Sequence, residues 1–284
     1  MGILRTRMEQ DLVLRGRSEH TRRAYLRAVA DLARYHHRSP DQLSDREVQQ
    51  YLRYLIEERC FARASCRQTV GALRFFYEVT LGRPRRDFSI PLPKAAQRLP
   101  QVLSREEVAR VLEGTQNLKH RALLMTTYGA GLRVSEVVRL RVSDIDSERM
   151  LIRVEQGKGM KDRYTLLSPR LLTELRRYYR VYRPTEWLFA ERRKNAPMDP
   201  RSAGRIYQAA KQRAGIHKTG GIHTLRHSFA THLLESGIDV VSIQRLLGHA
   251  HVETTAHYLH VTPQRVGKRA SPLDLLRLPP VSPA

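Results

Sequence analysis

The chain has 284 residues, which is enough for one large or two ordinary domains with a sizeable buried core. Its 51 lysines and arginines outnumber its 28 acidic residues, so the formal net charge is +23. The first 90 residues carry +7 and the remainder +16, so no single charged tail explains the excess. This charge predicts a polyanionic partner, nucleic acid before any other, against the alternative of a merely basic surface.

Cysteine usage and hydropathy argue against a secreted or membrane protein. Only Cys60 and Cys66 occur, too few for a disulfide scaffold and typical of a reducing compartment. No apolar run approaches the roughly 20 residues of a membrane span, and the first ten residues lack the apolar core of a signal peptide. We therefore expect a cytoplasmic, nucleoid-associated protein without a membrane partner.

The first 90 residues are predicted to be entirely helical. Helical periodicity runs through four segments near residues 4–15, 19–36, 45–59 and 64–80. Ser44 with Glu47 fits a capping box at the start of the third. Surface arginines on such helices are usually only solvated, but their number in a basic domain favours contacts with DNA phosphates. The candidates are Arg22, Arg63 and Arg67.

A proline-rich, basic stretch separates two domains. Its prolines, which interrupt any helix, are Pro84, Pro91, Pro93 and Pro100. We assign residues 1–90 to a helical DNA-binding domain, residues 91–101 to a linker, and residues 102–284 to a second domain with a C-terminal tail.

The second domain opens with helices and a glycine-bounded turn. Ser104 starts a helix that reaches about Leu112, and another runs from about Leu118 to Tyr128. The sequence GAGLRVSEVVRL follows, in which two glycines allow a tight turn. Arg133 then begins a short helix, where Glu136, three residues on, can orient it.

A β-hairpin and two further helices are predicted next. Residues 150–154 and 164–167 read as paired strands, joined by EQGKGMKDR with Lys158 and Lys161 near its tip. A helix runs from Ser168 to about Tyr182, and a loop at 191–201 precedes a basic helix at 201–214. The DNA-binding candidates on this last helix are Arg201, Arg205 and Lys211.

The stretch from His223 to Val261 holds the polar residues that core packing does not explain. Its three predicted helices begin near Thr224, Val240 and Val252, and the third includes Tyr258. Gly237 and Gly248 fit the ends of the first two.

Four side chains in this stretch have the chemistry of phosphoryl transfer to a tyrosine. They are His223, Arg226, His249 and Tyr258. An arginine matches phosphate oxygens, a tyrosine can be a covalent nucleophile, and histidines can move protons near neutral pH. Taken singly, His223 could be a helix cap and Tyr258 a packing residue. A zinc site at His223 and His227 is disfavoured, because no HExxH occurs and both cysteines are distant, so we predict no metal and no cofactor.

The pattern HxxR, then a histidine after a glycine, then a tyrosine nine residues later resembles the active site of tyrosine site-specific recombinases. Within this phage-integrase family, Xer-type and transposon-borne members are nearest in layout. GLRVSEV resembles the family's first catalytic arginine motif, and SEHTRRAYLRAVADLARY is similar to the second helix of its core-binding domain. The resemblance covers nearly the whole chain.

The resemblance implies a fold and a catalytic set. The fold would be an all-α, SAM-like core-binding bundle followed by a mainly α catalytic domain with a small antiparallel β-sheet. Arg133 and Lys158 would join His223, Arg226 and His249 around the nucleophile Tyr258, with Lys161 as the second choice of lysine.

The implied function is site-specific DNA recombination through a 3′-phosphotyrosine, for integration, excision or transposition of a mobile element. The implied partners are double-stranded DNA and copies of the chain itself, as a tetramer on synapsed DNA. The alternatives are a catalytically silent DNA-binding regulator and a monomeric type IB topoisomerase-like enzyme. A leucine-containing tail after Val266 would either dock into a neighbouring protomer or fray.

Overall fold

The computed structural model describes residues 2–84, 101–155, 162–191 and 196–248. Contacts divide the chain into two compact units, Met1–Gln97 and Arg98–Ala284. Each unit has a hydrophobic core of its own. Among the described helices, none combines the length and the apolar character needed to cross a membrane.

Four α-helices make up the described part of the first unit, as the periodicity predicted. They are α1 (Gly2–Leu14), α2 (Glu19–His36), α3 (Asp45–Glu57) and α4 (Arg63–Arg74), with a 3₁₀ turn at Pro40–Gln42. Helix α3 begins with the predicted capping box, in which the Ser44 hydroxyl accepts from the Glu47 amide and the Glu47 carboxylate accepts from the Ser44 amide. Leu12, Leu32 and Leu73 are fully buried in the core.

The fourth segment is helical up to residue 80, as predicted, but it does not remain a regular α-helix over its whole length. After Arg74 it widens into a π-helix, Phe75–Thr80. Three consecutive aromatic side chains, Phe75, Phe76 and Tyr77, are buried there. In a regular α-helix three successive side chains spread over more than half of the circumference, so the wider turn accompanies the burial of all three. The Tyr77 hydroxyl donates to the Pro40 carbonyl at 2.7 Å.

The second unit is organised around a central helix. Its helices are α5 (Arg105–Glu113), α6 (Leu118–Gly129), α7 (Val134–Val137), α8 (Pro169–Tyr182), α9 (Pro200–Arg213), α10 (His223–Glu235) and α11 (Val240–Leu247). Helix α6 contacts α5, α8, α9 and α10, and its Ala122, Leu123 and Leu124 are fully buried. The chain leaves α6 through Gly131, which has a positive φ of 62°.

The described part of the second unit also contains a small antiparallel sheet. Its strands are β1 (Ile145–Asp146), β2 (Leu151–Val154) and β3 (Arg163–Leu166), in the order β1-β2-β3. Ile152 pairs with Thr165 and Arg153 with Tyr164, so the predicted hairpin is confirmed, with β3 beginning one residue earlier than expected. The sequence did not predict β1, because two residues are too few for an alternating pattern. The predicted fold class is confirmed.

Candidate active site

Three separate elements bring charged side chains together around one carboxylate. Arg133 lies at the start of α7, Arg163 begins β3, and Arg226 lies in the first turn of α10. All three guanidiniums surround Glu136 of α7, whose side chain is only 6% exposed. We call these four residues the Glu136 cluster. Its three arginines face one carboxylate, so the cluster keeps a formal charge of +2.

Hydrogen bonds hold the Glu136 carboxylate on both oxygens. Oε1 accepts from Arg133 Nη1 at 2.7 Å and from Arg163 Nη1 at 2.9 Å. Oε2 accepts from the Arg133 amide and from Arg163 Nη2, both at 2.8 Å, and lies 3.5 Å from Arg226 Nη1. Burial opposes ionisation, but these hydrogen bonds and the nearby guanidinium charges lower the pKa of Glu136 to about 2. The carboxylate is therefore ionised throughout the physiological range.

The same three arginines bind the C-terminal end of α11. Arg163 Nε donates to the Leu246 carbonyl at 2.9 Å, and Arg226 Nη2 donates to the Leu247 carbonyl at 2.7 Å. Arg133 Nη2 donates to the Gly248 carbonyl at 3.3 Å. Cations complement the negative end of a helix dipole and bind its last carbonyls. The cluster thus fixes the point from which the chain continues to His249.

The three arginines differ in how far they reach solvent. The Arg226 side chain is fully buried, and its Nη1 also donates to the Gly131 carbonyl at 2.8 Å. The side chains of Arg163 and Arg133 are 10% and 20% exposed. Arg226 is therefore the most deeply buried arginine of the cluster, and Arg133 is the most accessible one.

Two histidines of α10 lie beside the cluster. The rings of His223 and His227 meet edge to face, with their centroids 4.7 Å apart. Desolvation by the surrounding protein, together with the charges of Arg226 and Arg133, lowers the pKa of His223. Its imidazole is consequently neutral near pH 7, although the residue as a whole is exposed. A neutral ring can both accept and donate a proton.

The lowered pKa of His227 predicts that the protein loses stability in mild acid. Burial, with the nearby charges of His223 and Arg226, lowers its pKa to about 4, against about 6.5 in an unfolded chain. Between these values the unfolded state binds more protons, so the free energy of unfolding falls as the pH drops, by about 1–3 kcal/mol. Denaturant titrations from pH 7 to pH 4, followed by Trp187 fluorescence, should show this decline and a shallower one in His227→Gln. An unchanged slope in that variant would remove His227 as the cause.

The remaining predicted site residues divide into two groups. Lys158, Lys161, His249, Tyr258, the helix predicted near Val252 and the leucine-containing tail all lie outside the described residues. The DNA-binding candidates are described: Arg67, Arg201 and Arg205 are exposed, whereas Arg22, Arg63 and Lys211 are half-buried. Lys211 donates to the Lys218 carbonyl at 2.6 Å. Contact of these six residues with DNA stays a prediction.

Sequence reasoning missed Arg163. The alternating pattern places the strand start at Tyr164 and therefore predicts Arg163 in the hairpin loop. Placing the strand start one residue earlier would have put Arg163 on the same face as Thr165, which is fully buried. An arginine that alternates with a buried threonine is the signal that could have identified it.

Comparison with known proteins places both parts of the chain in one class. Residues 101–265 match the model of the phage integrase family, and residues 4–87 match that of the phage integrase N-terminal SAM-like domain. The chain belongs to the phage integrase family, as the sequence motifs predicted, and is a site-specific DNA recombinase. Enzymes of this class cleave and rejoin DNA.

Named relatives span almost the whole length of the chain. The protein y4qK of Sinorhizobium fredii is 46% identical over 284 residues, which cover 100% of this chain and 92% of the relative. The tyrosine recombinase XerA of Thermococcus kodakarensis is 35% identical over 275 residues, 94% of each chain. The crystal structure of a lambda integrase tetramer bound to a Holliday junction matches with a TM-score of 0.71 at 20% identity, over 89% of this chain and 75% of that one. This last likeness concerns the fold alone.

Proposed function

We propose that the protein cuts and rejoins DNA by transesterification, with Tyr258 as the nucleophile. The observation that carries the proposal is the convergence of Arg133 and Arg226 on Glu136, with His223 three residues before Arg226 on the same helix. Two guanidiniums beside a neutral imidazole suit a phosphodiester. They lie at the end of α11, and Tyr258 follows ten residues after Gly248 in sequence.

The first chemical step exchanges one phosphoester bond for another. The Tyr258 oxygen forms a bond to the scissile phosphorus, and the bond from phosphorus to the 5′ oxygen breaks, leaving a 3′-phosphotyrosine and a free 5′ hydroxyl. Arg133 and Arg226 bind the non-bridging oxygens and offset the charge that grows on them. His223 and His249 assist the transfer of the tyrosine proton and hydrogen-bond the phosphate, and Lys158 protonates the departing 5′ oxygen.

The second step reverses the first on another strand. Because the phosphotyrosine keeps the energy of the phosphoester, the 5′ hydroxyl of a partner duplex can attack it and release Tyr258. The chemistry therefore requires no nucleotide and no metal. This exchange is the reaction needed for integration, excision or transposition of a mobile element.

The proposed partners are duplex DNA and further copies of the chain. A net charge of +23, spread over both domains, favours phosphate contacts, for which Arg67, Arg201 and Arg205 present exposed side chains. Lambda integrase, similar in fold, forms a tetramer bound to a Holliday junction. We propose the same number of subunits here, because strand exchange between two duplexes requires four cleavages.

Covalent capture tests this function on DNA of unselected sequence. The protein is incubated with fragmented genomic DNA of its source organism, the reaction is stopped with detergent, and protein-linked ends are sequenced. We expect adducts at a recurrent site, with the protein on the 3′ end and a 5′ end open to phosphorylation. Binding without adducts would favour a silent regulator, and adducts at unrelated sequences with relaxation of any supercoiled plasmid would favour a topoisomerase.

A further inference from the structure

Every nitrogen of the Arg163 guanidinium has an acceptor inside the protein. Nη1 and Nη2 donate to the two oxygens of Glu136 at 2.9 and 2.8 Å, and Nε donates to the Leu246 carbonyl at 2.9 Å. The side chain is 10% exposed. A planar, bidentate pair of this kind is specific to arginine, because lysine presents a single point charge. Arg163 thus directs all three of its guanidinium nitrogens at acceptors within the protein.

The contact between Arg163 and Glu136 determines how much of the positive charge on Arg133 and Arg226 is left unbalanced. Glu136 is the one carboxylate within ion-pair distance of Arg133 and Arg226 among the described residues. Since Arg163 engages both of its oxygens, one guanidinium offsets Glu136 and two positive charges are left over. Without Arg163 the same carboxylate would offset half of the charge on Arg133 and Arg226. Their attraction for a DNA phosphate would fall, and it would fall most where charge develops during the reaction.

The backbone contact adds a positional role. A Cβ atom at Gly248 would lie 2.7 Å from Arg163 Cδ and 3.1 Å from its Nε, so the chain passes directly over this side chain. Gly248 also has a positive φ of 62°, which glycine adopts without strain. The next residue is His249. Arg163 therefore fixes the start of the segment that includes two of the proposed catalytic residues.

We propose that Arg163 is a positioning residue for DNA strand transfer. It neutralises Glu136, so that the charges of Arg133 and Arg226 are left to act on the scissile phosphate, and it anchors the end of α11. This inference rests on the proposed function and assigns a role to a residue outside the predicted catalytic set. Arg163 acts through Glu136 and Leu246, without touching the DNA.

The test compares single-turnover cleavage rates on a nicked duplex that contains a site recovered by covalent capture. Arg163→Gln is expected to cleave about 100-fold more slowly than the wild type, the scale of losing one transition-state charge contact. DNA affinity should change less than about threefold, because Arg163 is not a DNA ligand. Arg121→Gln is the matched control: Arg121 forms a partly buried 2.7 Å ion pair with Glu174 in the same domain, and its rate should stay within about twofold.

Two readouts separate charge balance from simple loss of structure. Glu136→Gln added to Arg163→Gln restores the formal cluster charge of +2, so the double variant should cleave at least about tenfold faster than Arg163→Gln. Without Arg163 the pKa of Glu136 must rise, because its largest lowering influence is gone. The rate of Arg163→Gln relative to wild type should then increase towards acidic pH, as the pH approaches the raised pKa of Glu136. The double variant should lack this increase.

The outcomes distinguish the inference from the function on which it rests. Absence of any adduct with the wild-type protein overturns the proposed function. A wild-type adduct together with wild-type cleavage by a folded Arg163→Gln overturns the role of Arg163 alone, as does a double variant no faster than the single one. If Arg163→Gln does not fold by circular dichroism, Arg163→Lys replaces it. That variant keeps the charge without the two-pronged contact, so it should cleave more slowly than the wild type, and wild-type cleavage by it would overturn the role of Arg163.

Discussion

Tyr258→Phe is expected to bind DNA normally and to form no covalent adduct. The substitution removes one oxygen, the atom that we propose attacks phosphorus, and leaves the ring and the cluster unchanged. Loss of a catalytic nucleophile costs on the order of 10⁴-fold or more in rate. Denaturing gels of the protein on a nicked duplex measure the adduct, and gel shifts of the same mixtures measure binding.

The matched control is Tyr179→Phe on α8. Tyr179 is 44% exposed and has no place in the proposed chemistry, so its variant should yield as much adduct as the wild type. An adduct of undiminished yield with Tyr258→Phe would reject Tyr258 as the nucleophile. Weakened binding in that variant would contradict the assignment of the phenol to chemistry alone.

Gly131→Ala is expected to destabilise the second domain by roughly 2–5 kcal/mol. Gly131 has a φ of 62°, a left-handed conformation that costs an alanine about 1–2 kcal/mol. A Cβ atom there would lie 2.3 and 2.5 Å from two carbons of the Phe229 ring and 3.0 Å from Leu247. Both neighbours are buried, so the ring cannot swing into solvent. Any backbone shift would also move the carbonyl that accepts from Arg226.

Denaturant unfolding followed by Trp187 fluorescence measures this effect, because Trp187 is the single tryptophan and lies in the second unit. Gly204→Ala on α9 is the control. A Cβ atom there has no heavy atom of the described residues within 4 Å, and alanine favours a helix by up to about 1 kcal/mol. The control should therefore be as stable as the wild type or more so. A Gly131→Ala protein within about 0.5 kcal/mol of the wild type would contradict the steric argument.

Local signals in the sequence were sufficient to predict most of the secondary structure. The capping boxes at Ser44 and Ser104 mark helix starts, and both are present in the structure. The π-helix after Arg74 was not predictable, because a change from i→i+4 to i→i+5 hydrogen bonding depends on how the aromatic side chains pack. Strand β1 was missed for the opposite reason, since it is defined by its partner more than by its own residues.

The contacts of the candidate site also divide into local ones, which the sequence spacing suggests, and long-range ones, which it does not. The contact between Arg133 and Glu136 spans three residues of one helix start, and spacing alone suggested it. The contacts of Glu136 with Arg163 and of Arg226 with Gly131 span 27 and 95 residues, and no periodicity relates such positions. Residue type could nominate Arg226 for phosphate chemistry. Its complete burial beneath the end of α11 emerges only from the folded chain.

Because the three arginines bind the last carbonyls of α11, they also limit how far the proposed nucleophile, Tyr258, can lie from the cluster. From Gly248 to Tyr258 the chain has ten residues, which span at most about 35 Å when fully extended and about 15 Å as a helix. Tyr258 can therefore reach no farther than this distance from the Glu136 cluster of its own subunit. It can attack a phosphate held by a neighbouring subunit only if the Glu136 clusters of the two subunits approach to within the same distance.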